Sequence, residues 1–288
     1  MSETVLLAGT RKGLFIGRSD EHREQWTWDP PVFPMEEVYA AAIDDRGPVP
    51  RLLAGSTSWH YGPQVLRSDD LGRTWDRSHA GTVSFPEGLG ASVERVWQLQ
   101  PSPVDGGVVW AGTQPSALFR SDDRGETFEL VRSLWDHPHR TQWGEGFGGQ
   151  AIHTIVPHPT DPAIVTIAMS TGGVYRSSDG GATWTPHNRG ITTEFLPGEA
   201  PEFGQCVHKV AVDAADPDRL YAQNHGGVFR SDDAGRSWMS ISAGLPTDLG
   251  FPIVAHPHRG GTTYVYPLVA GADRFPPGGR PAVWRSRD

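Results

Sequence analysis

The clearest patterned stretch of the chain follows Cys206. Residues 207–213 (VHKVAVD) read as a strand, 214–218 as a turn and 219–224 (RLYAQN) as a second strand. His225-Gly226-Gly227 turns the chain into a third apolar run, 228–231, and a polar hairpin leads to a fourth around 238–241. The same alternation of short apolar runs and polar turns recurs, with first strands expected at 38–44, 94–100, 152–158 and 251–256. The N-terminal segment, 5–28, supplies three strands only, with Ala8-Gly9-Thr10 matching Ala54-Gly55-Ser56.

The hairpin is one phrase written four times: RSDDLGRTW from Arg67, RSDDRGETF from Arg120, RSSDGGATW from Arg176 and RSDDAGRSW from Arg230. A fifth copy begins at Trp284-Arg285-Ser286. The anchoring serines, Ser68, Ser121, Ser177, Ser231 and Ser286, lie 53, 56, 54 and 55 residues apart. Four antiparallel strands at this period predict an all-β fold, a β-propeller of four-stranded blades. Within the phrase the Asp accepts backbone N–H groups, the Gly supplies a positive φ, and the Trp or Phe buries an apolar face. Acidic pairs such as Asp69-Asp70 are therefore folding devices, although they resemble catalytic carboxylates.

Composition narrows the partners. The 288 residues carry a net charge of −9 and no basic run, so nothing attracts nucleic acid or an anionic membrane. The start of the chain has no basic, apolar leader, and the single cysteine, Cys206, cannot form an internal disulfide. The expected address is the cytoplasm.

The repeated phrase resembles the Asp-box, or BNR repeat, of sialidases, and the whole chain is similar to the sialidase-like BNR-repeat propellers. The stretches from Ser56 to Gly72, Leu134 to Arg140, Gly204 to Lys209, Asn224 to Asp233 and Gly250 to Pro257 resemble a bacterial group of such proteins. That resemblance implies a seven-bladed ring, of which residues 1–288 form one domain of about six blades, ending inside the sixth. On the order of 80 residues would complete it. It also implies a sialidase-like glycoside hydrolase. Sialidases hold the substrate carboxylate with three arginines and use a tyrosine paired with a glutamate. The early strand Gly9 to Phe15 lacks the family's arginine motif, and no position maps onto the tyrosine.

The blade rule places the turns between second and third strands on one face with the long blade-to-blade connections, which suggests binding loops. Counting five residues back from Asp44, Gln100, His158, Asp213 and His256 gives Tyr39, Arg95, His153, His208 and Phe251, an expected ring at a channel mouth. Pairing Asp213 with Leu220 sets His208 opposite His225, with Cys206 on the same side of its strand.

Two chemistries follow. One is a polar pocket for a small or sugar-like ligand. Tyr39, Trp59, His60, Arg95, Trp135, His137, Trp143, Asn224 and Phe251 would bind it, with catalysis by Asp136, Glu94, His208 and His153. Glu145, Glu199 and Glu202 are further carboxylates on that face, whereas Trp97 reads as core. The other is a site for Zn, Cu, Fe or Mn built from His153, His208, His225 and Cys206, serving a metal-dependent enzyme. A non-catalytic, protein-binding scaffold is a third reading. Histidines near turns are also ordinary hydrogen-bonding groups, above all His158 and His256 in their repeated turns.

Overall fold

The computed structural model describes residues 3–81, 83–146, 148–192 and 201–287. It is almost entirely β, in six antiparallel sheets. The chain divides into two compact units, residues 1–131 and 132–288.

In the first unit, β1 (Thr4–Thr10), β2 (Gly13–Ser19) and β3 (Thr27–Trp28) form a three-stranded sheet. Two four-stranded blades follow. One comprises β4 (Glu37–Asp44), β5 (Arg51–Ser58), β6 (Gly62–Ser68) and β7 (Asp76–Gly81). The other comprises β8 (Arg95–Pro101), β9 (Val109–Gln114), β10 (Ala117–Ser121) and β11 (Glu129–Leu130).

The second unit opens with one helical turn, α1 (Arg132–Trp135), and a short 3-10 helix, Pro138–Gln142. Its first blade holds β12 (Ile152–Pro157), β13 (Val165–Met169), β14 (Gly173–Ser177) and β15 (Thr185–Pro186). Its second holds β16 (Val207–Val212), β17 (Leu220–Asn224), β18 (Gly227–Ser231) and β19 (Met239–Ser240). Three strands, β20 (Gly250–Ala255), β21 (Thr263–Pro267) and β22 (Trp284–Ser286), form the last sheet. Strand order follows chain order in every sheet, the blade layout of a β-propeller, although the first and last sheets have three strands rather than four.

Apolar faces pack blade on blade. Leu14, Ile16 and Phe33 meet Val38, Leu52 and Leu66 in the first unit. Ala168 and Val174 meet Val207, Val210 and Phe229 in the second, with Trp238 closing the layer.

The repeated hairpin is one hydrogen-bond network. The serine hydroxyl donates to the Asp carboxylate at 2.6–2.8 Å and accepts the glycine N–H at 2.8 Å in all four copies. The same Asp also accepts the N–H and hydroxyl of the following Thr or Ser. The glycine φ is positive as expected, 88° at Gly72 and 85° at Gly125. The residue before it is left-handed too, and in three copies it is not glycine: Leu71, Arg124 and Ala234.

Inner strands share a second device. Each of β4, β8, β12, β16 and β20 carries a bulge, at Tyr39, Trp97, His153, His208 and Phe251-Pro252. Five residues on, a side chain caps the turn. Asp44, Ser102, His158, Asp213 and His256 each accept a backbone N–H two residues ahead. The expected ring is corrected on this point. The cap in the third blade is Ser102 rather than Gln100, so Trp97, not Arg95, holds the bulge position. The register of the fifth blade also differs: Val212, not Asp213, is the partner of Leu220, and the bulge at His208 moves the far end of the pairing by one more residue, to Val207 opposite Asn224.

Candidate functional site

The bulged side chains gather polar groups around them, in a different way in each unit. In the first unit, Tyr39 and Trp97 come from neighbouring inner strands, with ring centroids 5.2 Å apart and planes at 44°. The Tyr39 hydroxyl donates to Glu37 Oε2 at 2.9 Å. Arg11 Nε, from the turn after β1, donates to Glu37 Oε1 at 2.9 Å. The Arg95 guanidinium lies over the Tyr39 ring at 5.3 Å, and its Nε is 3.8 Å from Glu37 Oε2. Gln114 connects this group to Glu94. Its Oε1 accepts from Arg95 Nη1 at 3.1 Å and from Trp97 Nε1 at 3.2 Å, and its Nε2 donates to Glu94 Oε2 at 2.7 Å.

Hydrogen bonds from Arg11 and then Tyr39 hold the Glu37 carboxyl below its ordinary range. Burial, and then the Glu37 carboxylate, push the Tyr39 phenol up. Glu37 is thus an ionised carboxylate at neutral pH beside a protonated phenol. Glu37 escaped the sequence reading, and Trp97, read there as core, is only partly buried. The available signal was the spacing Glu37-Val38-Tyr39, which places both side chains on one side of the strand.

In the second unit, Cys206 Sγ and His208 Nε2 are 3.5 Å apart. The His225 ring lies 5.6 Å from that of His208, centroid to centroid, and its backbone N–H donates to the Cys206 carbonyl. His208 Nδ1 donates to the Gly250 carbonyl at 2.5 Å, and its ring stacks on Phe251 at 4.7 Å. Arg274 covers Phe251 at 5.0 Å. Burial drives His208 down to about 4 and raises the Cys206 thiol. His153 lies outside this cluster. It contacts the Thr154 hydroxyl, its carbonyl accepts Lys209 Nζ, and burial drives its pKa to about 3. Of the four residues expected to form a metal set, Cys206, His208 and His225 bring their potential ligand atoms within 4.8 Å of one another, and His153 is not among them.

Trp135 and Trp143 are buried; Arg140 covers Trp135 at 3.9 Å, and Trp143 Nε1 donates to the Tyr175 hydroxyl at 3.0 Å. His137 stacks on Trp143 and caps the 3-10 helix. Asp136 forms an i,i+4 ion pair with Arg132 at 2.9 Å. Asn224 is fully buried and donates to the Thr192 carbonyl. Trp59 is 93% exposed on its turn, edge-on to His60. Glu145 is exposed, and the Glu202 carbonyl accepts from Asn188. Glu199 lies outside the described residues. No described helix is long and apolar enough to cross a membrane.

No protein-family model matches the chain. It is similar to a xyloglucanase from a Paenibacillus species, 30% identical over 225 residues, which is 71% of this chain and 21% of the relative. A xyloglucanase of Acetivibrio thermocellus is 22% identical over 82% of the chain and 38% of its own length. The chain thus spans well under half of these curated relatives. Among solved structures, the GH74 xyloglucanase from Xanthomonas campestris superposes with a TM-score of 0.69 at 20% identity, covering all of this chain and 42% of that one. An ancestral GH74 enzyme gives 0.60 at 16% identity, over 86% and 29%. These structural likenesses establish the propeller fold.

Proposed function

We propose that the chain is a carbohydrate-active protein of the glycoside-hydrolase type, engaging a sugar-like substrate at Glu37, Tyr39, Arg95 and Trp97. One observation carries this reading: two carboxylates, Glu37 and Glu94, share a network through Arg95 and Gln114, beside a Tyr39–Trp97 aromatic surface. A glycosidase needs paired carboxyl groups, and aromatic faces suit the apolar face of a sugar ring. Glu37, held ionised, serves as the base or nucleophile, and Glu94 is the proton donor. The xyloglucanases to which the chain is similar supply the substrate to try first, a xyloglucan, and they give no support to a metal-dependent enzyme.

A sialidase-type reading rests on the same group. The hydrogen bond from Tyr39 to Glu37 is the arrangement a tyrosine nucleophile with a glutamate base would use, and Arg11 and Arg95 supply cations for a substrate carboxylate. Release of reducing sugar from neutral oligosaccharides and from sialosides, measured side by side, separates the two readings. Turnover of the neutral glycans alone supports the first and turnover of sialosides alone supports the second. Absence of turnover and binding with both classes rejects the carbohydrate reading.

A further inference from the structure

We propose that Cys206, His208 and His225 form a binding site for one Zn²⁺ ion, with three protein ligands and a fourth position for water or a small ligand. This site belongs to the second unit and is independent of the carbohydrate reading.

Three observations support it. First, the donor atoms of the three residues all lie within 4.8 Å of one another. In a tetrahedral zinc site, sulfur and nitrogen ligands at about 2.3 and 2.0–2.1 Å stand roughly 3.6 Å apart. Cys206 Sγ and His208 Nε2 already lie at 3.5 Å, and the His225 nitrogen, within 4.8 Å of both, has at most about 1.5 Å to close by a side-chain adjustment.

Second, His208 is held as a ligand would be. Its Nδ1–H donates to the Gly250 carbonyl, so the proton sits on Nδ1 and the Nε2 lone pair faces Cys206. A backbone carbonyl on the far nitrogen of a metal-binding histidine fixes the tautomer and raises ligand basicity. Stacking on Phe251 holds the ring plane.

Third, the donor set suits the ion. One thiolate and two imidazoles favour zinc over hard cations such as Mg²⁺ or Ca²⁺. On binding, the Cys206 thiol releases one proton to solvent and the sulfur lone pair forms the bond. The imidazoles bind as neutral rings, and no oxidant or reductant takes part. Arg274 adds a nearby positive charge, which the thiolate offsets.

The test uses the full chain, purified without a histidine tag and stripped of metal. Titration with Zn²⁺ against a chromophoric chelator is expected to give about one equivalent bound. Co²⁺ is expected to show a thiolate-to-metal charge-transfer band that Cys206→Ser abolishes. His208→Ala and His225→Ala are each expected to weaken Zn²⁺ binding by at least about tenfold. His258→Ala, an exposed histidine outside the cluster, leaves it unchanged. Thermal unfolding of the metal-free variants separates a lost ligand from a lost fold, and His225, in a turn, is the variant least tied to packing. Absence of stoichiometric zinc, or zinc and cobalt signals that survive Cys206→Ser and His225→Ala, overturns the proposal.

Discussion

Arg124 reaches back to Asp44, its Nε donating to Oδ2 at 3.0 Å, so that the hairpin of one blade is tied to the inner strand of the preceding blade. Arg46 donates to both oxygens of the same carboxylate, at 2.7 and 2.9 Å, and also to the Ser102 and Val108 carbonyls. The Asp44 side chain is fully buried. Asp44→Ala removes the anion and leaves both guanidiniums without it. A loss of about 2 kcal/mol is expected, below the value for a fully buried pair because both arginines retain solvent contact. Chemical denaturation of variant and parent measures it.

Acid sensitivity follows from the same residue. Burial alone would raise the Asp44 pKa, but the hydrogen bonds from Arg46 and Arg124 outweigh it and hold the group at about 2, against 3.8 ordinarily. A depressed pKa stabilises the fold fully above the unfolded value and loses that contribution as pH falls through the folded one. Stability of the parent should therefore decline from about pH 4 towards pH 2, and Asp44→Asn should flatten that slope. Thermal midpoints across this range provide the check.

The repeated hairpin predicts a graded series. Ser121 is buried, donates to Asp123 at 2.6 Å and accepts the Gly125 N–H at 2.8 Å. Ser121→Ala leaves that N–H unsatisfied, at a cost of about 1–3 kcal/mol. Ser231→Ala should cost a similar amount, because its two bonds repeat the geometry at 2.8 Å each. If the two variants differ widely in denaturation midpoint, the four networks are not equivalent.

The hairpins were legible because their chemistry uses the same residue types each time. The caps were not. Asp44, Ser102, His158, Asp213 and His256 perform one task with three side-chain types, since a carboxylate, a hydroxyl and an imidazole nitrogen all accept a backbone N–H. Alignment on Gln100 therefore displaced the third blade by two residues and selected Arg95 in place of Trp97. The bulges leave no local signature, so the register of His208 could not be read from spacing. The neighbourhood of Cys206, His208 and His225 was nevertheless accessible, because it depends on a turn and one strand. Glu37, outside any repeated phrase, became visible only through its partners Arg11 and Tyr39.

Arg11 sets the charge of Glu37 more than any other group does. Arg11→Ala should let the Glu37 pKa rise towards its ordinary value. In the parent, any function that needs the Glu37 anion is lost only as pH falls through a depressed pKa. In the variant, the acid limb of the activity profile should shift to higher pH. An unchanged acid limb would mean that Glu37 does not control it.

The proposed role of Glu37 is chemistry on a carbohydrate held beside Tyr39 and Trp97. The most direct measurement is the turnover of Glu37→Gln against the parent on the best glycoside found, with oligosaccharide binding followed in parallel. A fall in kcat of about 100-fold or more with binding retained is expected, because the amide preserves shape but neither abstracts a proton nor attacks. Parental turnover in Glu37→Gln would contradict it.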